Sequence, residues 1–136
     1  MMRADSEILY ANRLKQAMDF GGLRYHRNIR PSDIDGVLDF GGNLFIFIEA
    51  KVNGTPESVG QNRLLETLAD TIQLAGKECV VLWFNHNTPT DEVVDVQNGS
   101  CYKRYYKSQY KHLDFTTVGN IIDRILKHFK AKNLPI

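Results

Sequence analysis

The stretch D-I-D-G-V-L-D-F-G-G-N-L-F-I-F-I-E-A-K, Asp33 to Lys51, decides the fold. Two β-type runs, Ile34 to Phe40 and Leu44 to Val52, flank Gly41-Gly42, and a glycine pair between apolar runs signals a turn. Side chains alternate faces along a strand. Leu44, Ile46, Ile48 and Ala50 therefore form one wholly apolar face, while Phe45, Phe47, Glu49 and Lys51 form a mixed one. On the first run Ile34, Gly36, Leu38 and Phe40 oppose Asp33, Asp35, Val37 and Asp39. Matching apolar to apolar requires even-numbered residues to pair with even-numbered ones. A two-residue Gly-Gly loop, the commonest hairpin choice, would pair Phe40 with Asn43 and mix the faces. A three-residue loop, Gly41 to Asn43, pairs Phe40 with Leu44 and sets Asp35 opposite Glu49. Directly opposed Cβ atoms lie about 5 Å apart, so two carboxylates there repel unless a cation compensates them. A shift of two residues would oppose Asp33 to Glu49 instead, and both aspartates stay candidates.

Solvated sheet faces carry acids by chance, and an E-x-K triplet alone says little. Here Glu49 and Lys51 close a strand of strong apolar character, Leu44 to Ile48, where charge is not the default.

Working outward, the 136 residues set the expectation of a single domain, 1–136, with a real core. Hydrophobic content of 43% and charged content of 24% are ordinary for a globular chain and exclude a disordered one. A net charge of +1 excludes a strongly basic nucleic-acid-binding tail, so any such contact must use local patches. No apolar run reaches membrane-spanning length and Met1 to Ala11 has no signal-peptide pattern, so the expectation is a soluble cytoplasmic protein. Cys79 and Cys101 lack C-x-x-C spacing. Cys79, beside Val80, Val81 and Leu82, reads as a buried free thiol.

Periodicity orders the elements. Ser6 to Asp19 reads as a first helix, stopped by Gly21-Gly22, and Leu23 to Ile29 alternates as a strand ended by Pro31. The acidic hairpin follows. After the Gly54-Thr55-Pro56 break, Ser58 to Ala75 reads as a second helix; Ser58 and Gln61 have capping-box spacing, and Gly76 closes it. Glu78 to Phe84 is a continuous apolar strand suited to the middle of a sheet. Asn85 to Thr90 is expected as a loop and Glu92 to Val96 as a further strand. Val118, Ile121, Ile122, Ile125, Leu126 and Phe129 form one stripe of a last helix. The fold expected is α/β, in the order α-β-β-β-α-β with a C-terminal helix added, and a mixed central sheet flanked by helices.

The acidic strand, the returning strand that ends in Glu49-Ala50-Lys51, and this element order resemble the PD-(D/E)xK nuclease superfamily, with its restriction-endonuclease-like fold. The resemblance spans roughly Ser6 to Phe84. It implies a metal-dependent endonuclease that hydrolyses DNA phosphodiester bonds. Asp35, Glu49 and the carbonyl of Ala50 would hold Mg2+, with Mn2+ as a substitute, and Lys51 would orient or deprotonate the attacking water. Hard oxygen donors suit magnesium, and an ammonium beside the attacking water steadies charge building on phosphorus. The motif's proline departs from the pattern: Pro31 precedes Asp35 by four residues instead of one.

The resemblance implies two accessory residues. Glu7 sits where many members place a first-helix glutamate that reaches the metal, although an acid in a first turn is favoured by the helix dipole alone. Gln61, in V-G-Q-N-R-L-L, matches the glutamine of the Holliday-junction-resolvase-related and small viral-type members, besides its place in the capping box. Cys101 to His112 is basic and aromatic with no acid, and Lys103, Arg104 and Lys107 are its candidate DNA contacts. Its tyrosines suit core burial at least as well as base stacking. His86, just past the central strand, has no assigned role.

Two classes of function remain open. One is the nuclease, structure-specific or nonspecific because so short a chain has little room to read bases; cutting both strands would take a homodimer or two encounters. The other is a nuclease-fold protein that binds nucleic acid or a protein partner without cutting, since fold does not determine function.

Overall fold

The computed structural model describes residues 17–136. The chain divides into two units, Met1–Asp33 and Ile34–Ile136. Glu7 and most of the expected first helix lie outside the described residues, and residues 17–19, its expected last turn, are not helical.

In the first unit the expected strand Leu23 to Ile29 does not form. The chain makes a 3-10 turn over His26–Asn28, and Tyr25 pairs only with Ile29, donating its N–H to the Ile29 carbonyl at 2.8 Å. Arg27 and Asn28 both take positive φ, 59° and 60°. Two successive left-handed residues cannot continue a strand, and the polar His-Arg-Asn run has no apolar side chain to repay an extended course.

The second unit is a mixed five-stranded sheet with a helix on each face. The strands are β1 (Gly36–Phe40), β2 (Leu44–Val52), β3 (Glu78–His86), β4 (Ser100–Tyr106) and β5 (Gln109–Thr117), paired in chain order; α1 (Val59–Leu74) joins β2 to β3 and α2 (Val118–Ala131) follows β5. β2 and β3 are parallel, and every other neighbouring pair is antiparallel. The β1–β2 hairpin has the three-residue loop required by parity, with Phe40 opposite Leu44 and Gly36 opposite Ile48. Gly41 and Gly42 take φ of 63° and 73°, which glycine adopts without strain, and Asp39 accepts the Gly42 N–H at 2.7 Å. Ser58 caps α1, accepting the Gln61 N–H at 3.2 Å.

Period-2 alternation sorts the core into two layers. Leu44, Ile46 and Ile48 join Val80, Leu82 and Phe84 beneath Val118, Ile121 and Phe129 of α2. Phe47, Val81, Trp83 and Tyr105 pack on the other face against Leu65 and Ala69 of α1. β3 is buried on both faces, as its unbroken apolar run requires at the middle of the sheet. Both cysteines are free and buried; burial raises the Cys79 thiol to about 12, with Asp70 adding to it, and the Cys101 thiol to about 11.

Two further expectations need correction. Glu92 to Val96 forms no strand: Val93 is exposed and the segment loops across, leaving only Val94 against the α2-side core. Asn85 and His86 extend β3 instead of opening the loop. The β4–β5 hairpin is an addition with no counterpart in the expected order. It turns through Lys107 and Ser108 at φ of 49° and 62°.

Candidate functional site

The β1–β2 register brings Asp35 beside Glu49 at one end of the hairpin, with Glu49 alternating to the α1 side and Asp35 lining a small cavity with Ile48, Ala50 and Phe84 of the α2 side. Asp35 immediately precedes β1, and extending the Gly36–Ile48 pair by one residue sets it opposite Glu49. The Asp35 N–H donates to Glu49 Oε1 at 3.1 Å, and the Ala50 N–H donates to Asp35 Oδ2 at 2.8 Å. Thus Asp35 is bonded to the strand that ends in Glu49-Ala50-Lys51. Glu49 is only 1% exposed, a burial that a carboxylate tolerates only with compensation, whereas Asp35 is open to solvent.

Lys51 alternates onto the same side of β2 as Glu49, and its Nζ lies 3.5 Å from Oε1 of Gln61. Gln61 sits in the first turn of α1, so the Ser58 cap fixes the backbone that carries it beside Lys51. Asp35, Glu49, Lys51 and Gln61 therefore form one cluster from two strands and a helix end. Among the described residues no group of three or more His, Cys, Asp or Glu gathers as a metal site. Two hard carboxylates at one level of adjacent strands fit a magnesium ion that keeps most of its own waters, and the Ala50 carbonyl is the only further donor the motif offers.

The pairing carries this level across the sheet. Glu49 is opposite Trp83, Trp83 opposite Lys103, and Lys103 opposite His112. At roughly 4.8 Å per strand, the row runs about 14 Å from the carboxylates to His112. Its far end opens into a cleft of about 550 Å3 lined by Asn62, Arg63, Glu66, Lys103, Lys111 and His112 among others.

The candidate DNA contacts are not brought together. Lys103 points to the α1 side, where it forms an ion pair with Glu57 and lies 4.6 Å from the Trp83 ring centroid and 4.9 Å from that of Tyr110. Arg104 faces the α2 side, and Lys107 sits in the hairpin turn. His86 is tied locally, its Nδ1 accepting the Thr88 N–H at 3.2 Å.

The tyrosines of the same run dock the hairpin onto carboxylates. Tyr102 donates to Glu57 and Tyr110 to Glu66; Tyr105 reaches both oxygens of Asp70 at 3.0 and 2.9 Å, and Tyr106 reaches Glu78 at 3.0 Å. Burial first, then the carboxylate partner, raises the Tyr102, Tyr106 and Tyr110 phenols, Tyr106 to about 12; for Tyr105 burial and Asp70 raise it against a lowering hydrogen bond with Ser108. Burial also works against the Glu57 charge, but hydrogen bonds from Lys103, Tyr102 and Asn62 outweigh it and hold the carboxyl at about 2. Asn62 donates to Glu57 at 2.8 Å and accepts from Trp83 Nε1 at 3.1 Å, which links the network to the residue beside Glu49. The sequence reading missed this network, although Asn62 adjoins Gln61 in the same helical turn.

Among the described residues no helix is long and apolar enough to cross a membrane. In comparisons with known proteins, no family model, no curated protein and no solved structure matches this chain.

Proposed function

We propose that this protein is a metal-dependent endonuclease acting on DNA, with Asp35 and Glu49 as metal ligands, the Ala50 carbonyl beside them, Lys51 as the catalytic cation and Gln61 as its positioning partner. The observation that carries the reading is the gathering of Asp35, buried Glu49, Lys51 and Gln61 at one end of the β1–β2 pair. A purely structural hairpin gains little by drawing a buried carboxylate and an ammonium to one strand end, since each costs desolvation. The fold reading goes with it: a restriction-endonuclease-like arrangement, supported by the antiparallel acidic hairpin, the α1 crossover and the parallel return of β3.

Magnesium or manganese held there would supply Lewis-acid activation of water and neutralise charge on the scissile phosphate. Lys51 adds a cation for the negative charge that develops on phosphorus, with its Nζ near Gln61 Oε1. Gln61 accepts from Lys51 and so limits the rotamers it samples. The cleft at the far end of the row, with Arg63, Lys111 and His112, supplies charge for a phosphate backbone leading to the carboxylates.

A non-catalytic binding role is favoured by one observation: Asp35 and Glu49 each accept a backbone N–H across the strand pair, which gives them a structural use. Incubating wild type and Glu49→Gln with single-stranded, duplex and branched DNA in Mg2+ or Mn2+ separates the two. The nuclease reading expects metal-dependent cleavage by wild type and none by Glu49→Gln, with DNA affinity and fold largely retained. Equal loss of thermal stability and activity assigns Glu49 to structure instead.

A further inference from the structure

On the α2 side of the sheet, a cavity of about 430 Å3 lies between α2 and the β4–β5 hairpin. Arg104, Lys111, Arg124 and His128 contribute basic side chains, Tyr106 and Phe129 contribute aromatic walls, and no lining residue is acidic. The remaining lining is aliphatic, from β3 and α2. Arg104 carries the sharpest signal: its Nη1 is buried and has no hydrogen-bond partner among the described residues. A guanidinium without an anion on one side pays desolvation with nothing returned. Its Cζ lies 5.9 Å from the Tyr106 ring centroid, and Tyr106 packs edge-on to Phe129, with centroids 6.0 Å apart. Glu78, the one carboxylate among the described residues bonded to this aromatic wall, accepts from the Tyr106 hydroxyl at 3.0 Å and from the Gln73 amide. The arrangement is a cationic rim over an apolar, ring-lined floor, a form typical of small-molecule sites.

We infer that this cavity is a binding site for a small organic phosphate with a flat apolar body, its phosphate at Arg104 and Arg124 and its ring against Tyr106 and Phe129. Arginine forks match phosphate oxygens in pairs, and the aliphatic floor takes the body that inorganic phosphate lacks. The site shares no lining residue with the Asp35, Glu49, Lys51 and Gln61 group and stands whether or not the protein cuts DNA.

The test is a titration of the full chain with phenyl phosphate, inorganic phosphate and phenol, followed by amide NMR shifts. Phenyl phosphate should saturate and shift Arg104, Tyr106, Arg124 and His128, inorganic phosphate should bind more weakly, and phenol should not saturate. Arg104→Gln and Arg124→Gln should each weaken phenyl phosphate by about tenfold, the scale of a charge-assisted pair. Arg124 is exposed on α2, so its variant keeps the test decisive even where Arg104→Gln does not fold. Absence of saturable binding, equal binding of phenol and phenyl phosphate, shifts confined to the α1 face, or unchanged affinity in Arg124→Gln would each overturn the inference.

Discussion

Glu57→Gln removes one charge and keeps the shape, which makes it a clean probe of how the β4–β5 hairpin is fastened to the start of α1. The wild-type carboxyl sits at about 2 against an ordinary value of 4.5 because Lys103, Tyr102 and Asn62 bond its charged form more strongly than burial penalises it. At about 1.4 kcal/mol per pH unit, that depression corresponds to roughly 3 kcal/mol. The Glu57 side chain is 27% exposed, so solvent screening lowers the expected effect to about 2 kcal/mol. The loss of charge also leaves Lys103, 13% exposed, without its carboxylate, which acts in the same direction. For a chain of this size such a loss lowers Tm by roughly 6 to 10 °C. The sign with pH follows from the depressed carboxyl. Its contribution is complete above the unfolded value near 4.5 and is lost as pH falls toward about 2. Urea unfolding of wild type and variant, followed by fluorescence of Trp83, the single buried tryptophan, reads the difference directly. The gap should be about 2 kcal/mol at neutral pH and shrink by more than half near pH 3. A gap that is constant or widens on acidification would refute the assignment of Glu57 as the ion-pair anchor.

Other expectations follow from the same contacts. Tyr105→Phe removes a donor shared by both oxygens of Asp70, and its urea midpoint should fall by an amount equivalent to about 1 kcal/mol; an unchanged midpoint would show that the bond contributes nothing. Gly99→Ala would put a Cβ 2.4 Å from the Phe84 ring, so it should cost about 1 to 3 kcal/mol, and Phe84→Leu in the same chain should recover part of that loss. Additive losses in that double variant would contradict the contact.

The acidic hairpin was legible because three independent constraints agreed: an apolar face of period two, a glycine pair, and the demand that even residues meet even ones. That fixed the loop at Gly41 to Asn43 and brought Asp35 beside Glu49. The central strand and both described helices were equally plain, since each carries one unbroken apolar run or stripe. The β4–β5 hairpin was not, because its turn is made by Lys107 and Ser108, residues that rarely take positive φ, in place of a glycine or asparagine signal. Leu23 to Ile29 alternated convincingly, yet alternation without a partner strand does not hold a strand, and Arg27 and Asn28 turn the chain instead. Within the site, Lys51 and Gln61 were found by motif. The Glu57 network joins residues up to 46 positions apart, and no local pattern encodes it.

The central claim is that Lys51 acts on the chemistry at the Asp35–Glu49 pair, and parallel cleavage and binding titrations of wild type and Lys51→Ala in Mg2+ test it most directly. The account predicts cleavage by wild type and a rate reduced by about 10²-fold or more in the variant, with DNA affinity and its salt dependence changed by no more than one phosphate contact. A wild type that binds DNA but never cuts it with either metal, or a variant whose loss lies wholly in affinity, would contradict it.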